Sequence, residues 1–158
     1  MQVFICDMDM EKSAKILDDK RLNKQIVEAF QIVEDRLPTL NHPAYLFWKN
    51  YKSELKMYMT FLCEEYTKRF GRKHKCSSVC VSPTTKDFSF ISDFDVVFLS
   101  MKVNLLRKNY EWYSKFFFND KPIDDYPDGY YWSVPYGKSS RKSTEEWCAL
   151  KEYYAIIS

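Results

Sequence analysis

Residues 17–37, LDDKRLNKQIVEAFQIVEDRL, are the stretch on which the fold turns. Leu22, Ile26, Ala29, Val33 and Leu37 recur at the i, i+4, i+7 spacing of a helix with one buried side. Upstream, Asp9 is placed to cap that helix, and Pro38 ends it, so the spacing predicts a single long helix over 9–37. Downstream, Asn41-His42-Pro43 reads as a second start, with Asn41 as N-cap and proline in the first turn. Its apolar side, Ala44, Phe47, Trp48, Tyr51, Leu55, Tyr58, Leu62 and Tyr66, carries the helix to a stop at Gly71. Residues 71–90, GRKHKCSSVCVSPTTKDFSF, lose periodicity and become a basic loop. A third helix follows Asp93, with Phe94, Val97, Met101, Leu105 and Trp112 to one side. Pro122, Pro127, Gly129 and Pro135 preclude a long helix between Asn119 and Pro135. Trp147, Leu150, Tyr154 and Ile157 then predict a short helix over Thr144 to Ile157. The expected fold is all-α: a compact bundle of three main helices plus a short C-terminal helix, with the basic loop between the second and third. Residues 1–138 form the expected helical domain, and 139–158 a C-terminal helical extension packed on it.

Composition narrows the function classes. The chain has 158 residues, enough for one domain with a real core. Only 3 are glycine, which disfavours an all-β sandwich with its many tight turns. No apolar run approaches the ~18 residues of a membrane span, and the start, MQVFICDMDMEK, lacks the basic and apolar regions of a signal peptide. The expectation is a soluble, cytoplasmic, monomeric protein, in the host cytoplasm if phage-encoded. Cys6, Cys63, Cys76, Cys80 and Cys148 make an odd number, which suits free thiols in a reducing compartment. Cys76 and Cys80, with His74 beside them, have a spacing that zinc tolerates, but no second matching pair follows. Ordinary loop thiols are the leading reading there, metal the lesser one, and no metal or organic cofactor is expected to be required.

The formal charge is only +2, so net charge gives no argument for a polyanionic partner. Its distribution gives one. Lys68, Arg69, Arg72, Lys73, Lys75 and Lys86 follow one another with no acid between them. The first helix adds Lys12, Lys15, Lys20, Arg21 and Lys24, the third Lys102, Arg107, Lys108 and Lys115, while acids gather at Asp120, Asp124, Asp125 and Asp128. A nearly neutral protein can thus present one cationic face to phosphates. Simple solvation of charged helix faces is the plainer reading of the same pattern.

Within the first helix, Asp18, Arg21, Gln25 and Glu28 fall within about 80° of one another. They lie where core meets solvent. A carboxylate there is partly removed from water, which suits it to acid–base chemistry, and a cation four or seven residues away can hold it or contact a phosphate. A row of intrahelical pairs on a wet face is the competing account.

The run Leu17-Asp-Asp-Lys-Arg-Leu-Asn-Lys-Gln-Ile-Val-Glu28 resembles the first-helix signature of the pyrimidine-dimer DNA glycosylases of the endonuclease V type, in which such a stretch ends in the catalytic glutamate. Asn41-His42-Pro43-Ala-Tyr-Leu-Phe-Trp48 is similar to the family motif opening its second long helix. Leu105-Leu-Arg-Lys108 followed by Trp112-Tyr113 looks like its C-terminal basic and aromatic segment. The MQ-F opening, the His-Pro pair and a closing aromatic-Trp-x-x-Pro are closest to a bacterial and phage branch. The likeness covers roughly residues 1–135.

The resemblance implies an all-α enzyme of base-excision DNA repair, a hydrolase and lyase that bends duplex DNA, extrudes a nucleotide and attacks the sugar C1′ with its N-terminal amine. Met1 would supply that amine and Glu28 the catalytic carboxylate. Arg21, Lys24 and Gln25 would contact phosphate or position the base. His42 would bind phosphate or cap its helix, Arg107 and Lys108 would touch the DNA backbone, and Trp112 and Tyr113 would stack on an unstacked base or pack in the core. Gln2 is bulky enough to oppose removal of Met1, and Val27 stands where the dimer-specific enzymes have arginine. The function expected is a DNA N-glycosylase, with abasic-site lyase activity as a second step, acting on a damaged or modified pyrimidine in double-stranded DNA. Two alternatives use the same residues: a non-catalytic DNA-binding or accessory protein of phage origin, and an enzyme acting on a modified base or nucleotide without an imine.

Overall fold

Two aspartates decide where the chain begins its helices. Asp9 accepts a hydrogen bond from Lys12 N (2.8 Å) and starts α1, Met10–Ile16. Asp18 accepts one from Arg21 N (2.8 Å) and starts α2, Asp19–Val33. The single helix expected over 9–37 is therefore two, parted by Leu17 and Asp18 in extended conformation. A carboxylate that satisfies an otherwise orphaned N–H favours a new start over continuation. The break also sinks the Leu17 side chain into the core. Arg69 completes the junction, donating to the α1-end carbonyls of Lys15 (2.9 Å) and Leu17 (2.7 Å). α2 stops at Val33, before Asp35 turns to a φ of 53°.

The second predicted helix is divided as well. His42, not Asn41, caps it: its Nδ1 accepts from Ala44 N (3.1 Å) and opens α3, Pro43–Trp48. The chain leaves helical geometry at Tyr51, whose ring packs between Phe47 and Phe90, and resumes as α4, Lys52–Phe70. Gly71 ends α4 in the left-handed region at φ 66°, where a residue without Cβ carries no steric penalty. α5, Phe94–Lys108, is the third helix of the sequence reading, and Asn109 separates it from the single turn of α6, Tyr110–Tyr113. The basic loop holds only a 3₁₀ turn at Ser77–Val79 and a two-residue bridge between Asp9 and Asp87.

The computed structural model describes residues 2–37, 41–117, 122–126, 130–132 and 152. Over these residues the fold is all-α, with no strand. The C-terminal helix expected over Thr144 to Ile157, and the extension 139–158 around it, lie outside the described residues apart from Glu152. No helix of the described residues is long and apolar enough to cross a membrane.

α4 packs against both α1 and α2. Trp48, Tyr58, Phe88, Tyr113, Tyr131 and Trp132 are fully buried around that contact. The amino-terminal lead-in, Val3 to Cys6, is buried too, and it threads between the helices. Tyr58 Oη donates to Phe4 O (2.8 Å), and Cys6 N donates to Ser13 Oγ (2.8 Å). That threading brings the start of the chain over α2.

Candidate active site

On α2, Gln25 and Glu28 stand one turn apart on the flank that meets the lead-in. Gln25 Oε1 accepts from Phe4 N (2.7 Å), and Glu28 Oε2 accepts from Gln2 N (3.1 Å). Two side chains thus lay the first residues along the helix. Trp132 Nε1 holds the Gln2 side chain by donating to its Oε1 (2.9 Å). Glu28 is only 8% exposed, so its carboxylate sits at the edge of the core rather than on a wet face. Lys24 Nζ lies 3.7 Å from its Oε1.

A cavity of about 360 Å³ opens in front of that carboxylate. Lys20, Arg21, Lys24 and Lys108 line its rim, and Gln2, Phe4, His42 and Tyr130 complete its wall, with Phe4 and Tyr130 packed edge to face. Arg21 is fixed by Asp18, whose Oδ2 accepts from Nη1 at 2.8 Å. Its Nη2 extends to Lys108 O at 3.5 Å, joining the end of α5 to α2. Burial, then the charges of Arg21 and Lys24, lower the pKa of Lys108, against an opposing pull from Glu28. Burial lowers the pKa of His42 to about 4, leaving a neutral imidazole near pH 7. Its Nδ1 is an acceptor, so the proton sits on Nε2 as a hydrogen-bond donor. A carboxylate beside a cavity ringed by four cations can stabilise positive charge developing on a sugar while the cations take its phosphates.

Of the residues expected in the site, Arg21, Lys24, Glu28, His42 and Lys108 share this cavity. Gln25 lies behind it and secures the lead-in. Arg107 lies elsewhere, its Nη2 donating to Ile123 O (2.9 Å) and to Tyr126 O. Trp112 Nε1 donates to Ile16 O (2.7 Å). Tyr113 is fully buried, and its hydroxyl accepts from Asp18 N (3.2 Å). Met1 lies outside the described residues. Sequence reasoning did not place Lys20, Gln2, Phe4 or Tyr130 in the site. Lys20 could have been found, because it falls eight residues before Glu28 on the same helix face. Tyr130 carries no local signal.

His74 belongs to the loop's own scaffold. Its Nδ1 accepts from Cys76 N (3.1 Å), and its Nε2 meets Asn23 Oδ1 (3.1 Å). Among the described residues, no three His, Cys, Asp or Glu side chains gather as a metal would require.

Residues 1–78 match the family described as pyrimidine dimer DNA glycosylase. No curated protein matches the chain, and no solved structure does.

Proposed function

We propose, from the match of residues 1–78 to the pyrimidine dimer DNA glycosylase family, that this protein is a DNA N-glycosylase that removes a damaged or modified pyrimidine from duplex DNA and then cleaves the abasic site. Glu28 is its catalytic carboxylate. It stabilises the cationic sugar as the C1′–N bond breaks and moves protons during ring opening. The amine of residue 1 attacks C1′, and the resulting imine accepts the electron pair released at C2′ as the 3′ phosphate leaves. An α-amine suits this step because its ordinary pKa of about 7.7–8.0 leaves a useful neutral fraction near pH 7. Lys20, Arg21, Lys24 and the Nε2–H of His42 take the phosphates of a monomeric complex on double-stranded DNA. Arg107, Trp112 and Tyr113 serve by holding the site's frame.

The observation that carries this reading is the hydrogen bond from Gln2 N to Glu28 Oε2, 3.1 Å, at the wall of a cationic cavity. It puts the residue next to the amine in contact with the acid. Glu28→Gln is the test. Base release from lesion-bearing duplex should fall about 10²–10⁴-fold, with DNA affinity largely kept. Full turnover by the variant removes Glu28 from the chemistry. Binding without turnover by the unaltered protein leaves only a DNA-binding module.

A further inference from the structure

Resting on the glycosylase reading, we propose that Lys108 is a second imine-forming amine of this cavity: its Nζ attacks C1′ of a ring-opened abasic sugar, so that strand cleavage does not depend on the amine of residue 1. The argument begins with how firmly residue 108 is held. It ends α5, and the chain just after it is fastened to the junction of α1 and α2. Asn109 Nδ2 donates to Asp18 Oδ2 (3.2 Å), Asp18 N donates to Tyr113 Oη (3.2 Å), and Trp112 Nε1 donates to Ile16 O (2.7 Å). The Lys108 side chain then enters the cavity that Glu28 also lines.

Its amine differs from those of its two paired neighbours. Arg21 is paired with Asp18 at 2.8 Å and Lys24 with Glu28 at 3.7 Å, whereas the Lys108 amine makes no ion pair or hydrogen bond among the described residues. It faces Lys20, Arg21 and Lys24, which raise the cost of a fourth positive charge. The Glu28 carboxylate favours the cation, but partial burial and three like charges outweigh it, and the net direction is toward the neutral, nucleophilic amine. Such crowding by cations is a general way to activate a lysine.

The step balances without an oxidant or reductant. Neutral Nζ adds to the C1′ aldehyde, and the carbinolamine hydroxyl leaves as water on a proton from Glu28. Loss of the C2′ proton to that carboxylate sends an electron pair toward C3′, breaking the C3′–O bond and expelling the 3′ phosphate. Hydrolysis returns the amine and consumes the water released earlier. A lysine of this kind needs no free terminus.

The experiment uses the full chain, a duplex with one abasic site, and sodium borohydride to reduce the imine to a stable secondary amine. Peptide mapping of the trapped complex should find adducts on Lys108. A chain extended by several residues ahead of residue 1 should still trap, and Lys108→Arg in that chain should cut trapping by more than about tenfold with duplex affinity changed less than about threefold. Arginine keeps the charge of a phosphate contact but cannot form the imine, so the split between trapping and affinity separates the two roles. Trapping lost on extension, an unmodified Lys108 peptide, or Lys108→Arg trapping like its parent overturns the proposal while leaving the amine of residue 1 in place. No adduct with any version, the unextended chain included, sinks the imine chemistry of both readings.

Discussion

Gln25 shows how much can rest on an amide that does not line the cavity. Its Oε1 is the acceptor for Phe4 N at 2.7 Å, and that bond keeps the lead-in against α2 so that Gln2 reaches Glu28. Gln25→Leu fills similar space but strands the buried Phe4 N–H, a loss of about 1–3 kcal/mol. The Nε2 of Gln25 has no hydrogen-bond partner among the described residues, so removing it returns part of that cost. The expected result is about 1 kcal/mol less stability in urea unfolding, with base release reduced and duplex affinity unchanged, because no cation is disturbed. Unaltered catalysis would separate the lead-in from the chemistry. The spacing of Asp18, Arg21, Gln25 and Glu28 already placed these polar groups where core meets solvent. It could not supply their partners, which lie 21 and 26 residues away from Gln25 and Glu28. The same limit explains Arg107, Trp112 and Tyr113. Their residue types suit DNA, yet their polar atoms are engaged by Ile123, Tyr126, Ile16 and Asp18, a matter of direction that composition does not encode.

Helix starts set the geometry of the site: Asp18 begins α2 and fixes the rim cation Arg21, and His42 begins α3 and lines the cavity. Asp18 caps α2, pairs with Arg21 and accepts from Asn109, so it ties α2 to the end of α5. Asp18→Ala should cost about 3 kcal/mol, through the lost cap and a half-buried guanidinium left without its carboxylate. Chemical denaturation measures it; a loss under about 1 kcal/mol would mean the junction is held elsewhere. His42 caps α3 as a neutral ring, with its pKa at about 4 in the fold. The unfolded chain's histidine protonates near pH 6.5, so the folded state binds fewer protons between those values. Stability from this group is therefore complete above about pH 6.5 and is lost as pH falls toward 4. Solvent on the half-buried ring holds the effect to on the order of 1–2 kcal/mol. His42→Asn keeps a capping oxygen and should flatten that part of the stability–pH curve. Periodicity identified all these helices but merged them in pairs, since Leu17 and Tyr51 continue the apolar pattern through the breaks. The cap at Asp18 divides the first pair, and the turn at Tyr51, packed against Phe47 and Phe90, divides the second.

Across the whole molecule, charge and aromatic content have separate tasks. Among the described residues, buried aromatics run through one continuous core, in which Trp48, Phe47 and Trp132 lie edge to face or tilted at 5.2–6.1 Å. Trp132 reaches from that core toward the site through Gln2, and Phe4 reaches it directly in the cavity wall. The net charge of +2 said nothing of a partner, but folding gathers Lys20, Arg21, Lys24 and Lys108 around one opening. If those cations take phosphates, each contact releases condensed counterions, and the logarithm of the binding constant falls with log salt by roughly 0.9 per phosphate on duplex DNA. Lys20→Ala with Lys24→Ala should then shrink the slope by about 2 while leaving the fold intact, since both side chains are exposed. Fluorescence anisotropy of an end-labelled duplex over a salt series measures it. Lys24 also faces Glu28, so base release should fall further than occupancy explains, whereas Lys20→Ala alone should act through affinity. A binding constant indifferent to salt would mean that the cationic opening holds no phosphate, and the carboxylate behind it would then face some other substrate.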